Sequence, residues 1–168
     1  MSNILIIRSC NMAVLHDFME DTYCEERNDN VYCLVQENVA NNLILEYPNI
    51  KFLIMQNTKF NYKKLKKNKK LFKEITNILF DEIYILSSTE KFFNYDEIFM
   101  ITSKCNSSKY ILYNCNREKY MVNLNFYLIR CKSIVKNISY IIQIPIAISI
   151  ILLVYAIMYP YTYIKNSI

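Results

Sequence analysis

Five short apolar runs alternate with helix-compatible stretches, and a long uncharged apolar tail follows them. That order predicts an α/β chain with a membrane segment at its C-terminal end. The runs are 4–7, 31–35, 52–55, 83–86 and 110–113, each of strand length and mostly β-branched or aromatic. They are apolar throughout, which is the pattern of parallel strands covered on both faces. The expected fold is one Rossmann-like, doubly wound, mainly parallel sheet of about five strands, then one C-terminal transmembrane helix.

Taken in order, "NILIIR" opens as a strand, "SCNM" turns, and "AVLHDFMEDTYCEE" suits a first helix. After the second run, "ENVANNLILEY" spaces Val39, Leu43 and Tyr47 by four, and "YPNI" turns the chain into the third run. The longest gap holds "NYKKLKKNKKLFKEITNILF", where Leu65, Phe72, Ile75 and Leu79 fall on one helical stripe. "FNYDEIFMITSK" offers a short helix after the fourth run. Residues 1–116 thus form a cytoplasmic domain, and 117–137 a basic-aromatic juxtamembrane segment read as an interfacial helix. Residues 138–164 form the anchor and 165–168 a short tail.

From Asn137 to Ile164 there is no charged residue, and a span needs ~20 mainly apolar ones. Tyr140 stands near one end and Tyr155, Tyr159, Tyr161 and Tyr163 near the other, like aromatic belts. A buried core helix is the rival reading, disfavoured by so long an uncharged run. Arg130, Lys132 and Lys136 precede the span and only Lys165 follows it, so the positive-inside rule keeps the N-terminal domain in the cytoplasm. The expectation is a single-pass protein of the cell membrane, with the bilayer as a partner through 138–164.

Composition limits the chemistry. Hydrophobic content is 53%, and no glycine occurs among the 168 residues, where usage of about 7% would place about a dozen. Turns must use Asn instead, the residue that next best tolerates positive φ. Without a Gly-rich phosphate turn a dinucleotide enzyme is not expected, and no cofactor is assigned. Six cysteines include no CxxC pair, and the single histidine, His16, has no metal-ligand partner at a recognisable spacing. Reduced cytoplasmic thiols are the expected state, and "ILII" is too short for a signal peptide's apolar region. A nucleophilic pair of Cys10 with His16 can be drawn, but nothing in the sequence orients it.

In doubly wound sheets, ligands bind beyond the carboxyl ends of strands. The polar residues there are Ser9 and Asn11, Gln56 and Asn57, and Ser87, Ser88, Thr89 and Glu90. They suit hydrogen bonding to a sugar or phosphate; the competing reading is that they cap helices. Lys63, Lys64, Lys66, Lys67 and Lys70 form either a solvated helix face or a surface attracted to anionic headgroups, with Arg130, Lys132 and Lys136 adding to it. No aromatic interleaving accompanies these lysines, so nucleic acid is not an expected partner.

The order "NILIIRSCNMAVL", "VYCLVQENVANNLILEYPNIKFLIM", a lysine-rich helix, then "FDEIYIL" resembles the N-terminal half of heptosyltransferase-like glycosyltransferases, glycosyltransferase family nine of GT-B type. The likeness covers roughly 3–113: a strand ending in Arg (Ile4–Arg8), an "EYPNI" turn at 46–50, and "FDEIYIL" at 80–86. Two departures accompany it. The family's catalytic Gly-Asp pair would fall near Met12–Val14, where there is no acid; Asp17 lies about a turn further on. The C-terminal donor-binding half is replaced by the membrane segment. General-base chemistry needs an acid within hydrogen-bond reach, so no catalytic residue and no metal ligand is assigned. The resemblance implies a catalytically incomplete half-domain in cell-surface polysaccharide or glycolipid synthesis. A Rossmann-type glycosyltransferase subunit would be its protein partner, and a lipid-linked sugar its acceptor. The alternative is a non-catalytic scaffold or regulator of a membrane enzyme complex.

Overall fold

The computed structural model describes residues 2–22, 29–56 and 59–165. Along the chain these form β1 (Asn3–Arg8), α1 (Met12–Thr22), β2 (Asn30–Gln36), α2 (Glu37–Glu46), β3 (Lys51–Met55), α3 (Tyr62–Lys67) and α4 (Lys69–Asn77). They continue as β4 (Leu79–Leu86), α5 (Asp96–Thr102), β5 (Asn106–Tyr113), β6 (Lys119–Val122) and α6 (Phe126–Lys165). The six strands make one sheet in the order β3-β2-β1-β4-β5-β6, and only β6 runs antiparallel. Two compact units divide the chain, Met1–Ile129 and Arg130–Ile168.

The first unit is an α/β/α sandwich. Ile6, Cys33, Val35 and Tyr113 point to a layer with Val14, Leu15 and Phe18 of α1 and Ala40 and Leu43 of α2. Leu5, Ile7, Leu34 and Ile85 point the other way, toward Leu65 of α3, Leu71 and Ile75 of α4, and Ile98 and Ile101 of α5. Both faces of the central strands are buried, which is why their sequences show no polar alternation. Phe18 is 1% exposed and packs edge-on to Tyr113 at 5.2 Å between ring centroids. Burial of such a side chain stabilises by about 1.5–3 kcal/mol.

Three expectations change. A sixth strand, β6, lies inside the stretch read as an interfacial helix, where Tyr113 pairs with Lys119 and Tyr110 with Val122. The chain reverses because the Asn114 side chain accepts from the amides of Asn116 (2.9 Å) and Glu118 (3.0 Å). The lysine-rich stretch is two helices, broken at Asn68, whose side-chain oxygen caps α4 by accepting from the Leu71 amide at 3.3 Å. Leu79, placed by spacing on the same helical stripe, instead begins β4 and is exposed. Among the described residues the left-handed positions are Asn94, as the glycine deficit predicts, and Arg117, both at φ 62°.

In α6 the predicted juxtamembrane residues from 126 and the predicted span form a single helix. Its start belongs to the first unit, where Asn125 caps the Tyr127 amide at 3.0 Å and Lys104 Nζ sits 3.6 Å from the Phe126 ring centroid. From Phe126 to Ala156 the helix is long and apolar enough to cross a membrane, with mean hydropathy 2.2 in an unburied window. Two polar side chains bond along the helix: Gln143 donates to Ser139 at 3.1 Å, and Ser149 to the Pro145 carbonyl at 2.9 Å. The side chains of Tyr140 and of the tyrosines at 159, 161 and 163 lie outside the described residues.

Candidate functional site

β1 and β4 are neighbours with Arg8 opposite Leu86, and the helices that follow them pack on opposite faces. Their carboxyl ends therefore diverge, which is where a sheet of this kind opens a ligand crevice. The loops after them bring together Ser9, Asn11, Ser87, Ser88 and Thr89. These side chains bond mainly to the two loops themselves. Ser9 Oγ donates to the Leu86 carbonyl, and the Asn11 amide donates to Ser88 Oγ at 2.7 Å. Asn11 also caps α1, its side-chain oxygen accepting from the Val14 amide at 3.1 Å. Buried Ser87 accepts from the Thr89 amide at 3.1 Å, and Thr89 Oγ1 donates to the Lys91 carbonyl at 2.7 Å. Tyr95 covers the junction, its hydroxyl 3.3 Å from the Leu86 carbonyl and 3.4 Å from that of Ser9.

Capping, the competing reading, holds for Asn11. It does not hold for Ser87 and Thr89, because α5 begins only at Asp96; they form a side-chain-closed turn instead. The Glu90 carbonyl accepts from Asn114 Nδ2 at 3.2 Å, while the Glu90 side chain is exposed. Gln56 does not join this group, since β3 is two strands from β1, and Asn57 lies outside the described residues. All five lysines singled out on α3 and α4 are exposed, as are Arg130 and Lys132; Lys136 is half-buried.

Arg8 ends β1 only 8% exposed, and among the described residues its Nε has no hydrogen-bond partner. Its charge draws the neighbouring Cys10 thiol down, but burial outweighs it and pushes that thiol up to about 12. Burial also raises Cys33 and Cys105. His16 is engaged elsewhere: its Nδ1 lies 2.9 Å from the Tyr47 hydroxyl and 3.2 Å from a Glu46 oxygen. Among the described residues no hydrogen bond joins Cys10 to His16, and burial keeps the Cys10 thiol neutral.

The two aspartates of α1 that face the β5–β6 turn are occupied. Asp17 pairs with Arg117 Nη2, and Asp21 accepts from Arg117 Nη1 at 3.1 Å and from the Tyr113 hydroxyl at 2.8 Å. Burial, together with hydrogen bonding to Asp21, raises the Tyr113 phenol above its usual value. This cluster clamps the β5–β6 turn to α1, and sequence reading did not find it. The available signal was "YNCNRE", an Asn-rich turn following an apolar run. Among the described residues no group of His, Cys, Asp and Glu could hold a metal ion.

No protein-family model, no curated protein and no solved structure matches this chain.

Proposed function

We propose that the chain is a membrane-anchored, non-catalytic domain that scaffolds or regulates an enzyme complex at the cytoplasmic face of the cell membrane. One observation carries this reading: the polar side chains at the β1/β4 crevice bond to the chain's own loops, and Asp17 is held by Arg117. A general base must be free to accept a proton from a bound acceptor, and a carboxylate in an ion pair is a poor one. The apolar α6 supplies the anchor.

The second reading is a Rossmann-like half-glycosyltransferase completed by a partner subunit and acting on a lipid-linked sugar. It is favoured by the strand order β3-β2-β1-β4-β5, which is that of doubly wound nucleotide-binding sheets, and by a buried arginine ending β1. Purification of the full chain from membranes in mild detergent separates the two. Scaffolding predicts a co-purifying membrane enzyme whose product yield is unchanged by joint Asn11→Ala and Ser88→Ala substitution. Loss of glycan product with the complex intact supports the half-enzyme, and a chain recovered without any partner sinks both.

A further inference from the structure

Beyond the carboxyl end of β3 the surface opens into a groove of about 600 Å³ against the turn between α3 and α4. Its apolar lining, Met55, Leu65 and Leu71, is buried. Its charged lining is Lys64, Lys67 and Lys70, all exposed, with Gln56 and Asn68 between them. Among the described residues none of the three ammonium groups has an ion-pair or hydrogen-bond partner. The stretch 63–73 carries seven lysines and no acid, so the groove lies in a field of one sign. α4, nine residues long, begins at the groove, and its positive dipole end adds to that field.

We infer that this groove binds a phosphate-bearing group. Three unpaired ammonium groups around one opening repel one another, and a single group carrying close to two negative charges relieves that repulsion where a lone carboxylate does so only in part. Lys64, Lys67 and Lys70 supply the charge. Asn68 uses its oxygen to cap α4, which leaves its Nδ2 to donate, as the Gln56 amide also does. The buried apolar lining provides a wall for the carbon skeleton that bears the phosphate. A soluble phosphate ester and an anionic lipid headgroup present the same chemistry. The inference is independent of whether the chain assembles with an enzyme.

The test is lysine acetylation footprinting of the full chain in phosphatidylcholine nanodiscs, read by mass spectrometry. One arm adds pyrophosphate; the other replaces part of the lipid with phosphatidate. With ligand at several times its Kd, acetylation of Lys64, Lys67 and Lys70 should fall about fivefold, while Lys63, Lys66 and Lys73 outside the groove change less than about twofold. Protection by pyrophosphate identifies a soluble ligand, and protection by phosphatidate alone identifies a lipid headgroup. Uniform protection of all the lysines, or none in either arm, overturns the assignment.

Discussion

Cys10, just past the end of β1, feels two influences of opposite sign: burial favours the neutral thiol and the Arg8 guanidinium favours the thiolate. Burial wins, holding the thiol near 12 against an ordinary value of about 8.5. A raised folded-state value means that the stabilisation is complete below about pH 8.5 and is lost as pH climbs toward the folded value. Iodoacetamide should therefore label exposed Cys115 readily at pH 8 while leaving Cys10, Cys33 and Cys105 unmodified in the folded chain. Labelling of Cys10 at a rate equal to that of Cys115 would show the burial to be wrong. Arg117 is a second residue whose setting is decided from outside itself. Its left-handed backbone, costly for a side chain with Cβ, is held by Asp17 and Asp21 on α1.

Among the elements, the β5–β6 hairpin depends most on a single side chain. Asn114 is fully buried; besides accepting the two turn amides, it donates to a Glu118 carboxylate oxygen at 2.7 Å and to the Glu90 carbonyl. A hydrogen bond from the Tyr120 hydroxyl, and after it the one from Asn114, hold the Glu118 carboxyl below its usual range. Asn114→Ala leaves buried donors and acceptors unpaired and should cost about 1–3 kcal/mol in urea denaturation, with faster amide exchange in β6. The parallel strands were legible because burial on both faces of the central ones leaves an unbroken apolar run, as in Ile4–Ile7 and Ile83–Leu86. β6 was not, because "KYMV" is short, mostly exposed and made a strand by Asn114, a cause that lies outside it. Of the site, Ser9, Asn11 and Ser87–Thr89 do meet. The place of Gln56 beside the lysines followed from strand order, which crossovers set and periodicity does not record.

At the scale of the whole molecule, the α/β unit buries its apolar side chains while the apolar helix leaves its own exposed. The full chain should stay in the membrane pellet after alkaline carbonate washing. Ile148→Arg with Leu152→Arg should release it to the supernatant, since each mid-span arginine costs about 2.5–3.5 kcal/mol on insertion scales. Retention of the double variant would mean that another surface holds the chain to the bilayer. A tethered protein is also confined to two dimensions, where neighbours meet at high effective concentration. Under such crowding an unpaired strand margin is a template for edge-to-edge aggregation. Both margins of this sheet are brief, five residues in β3 and four in β6, and each starts with a lysine, Lys51 and Lys119. Like charges at those margins disfavour edge-to-edge pairing between copies of the sheet.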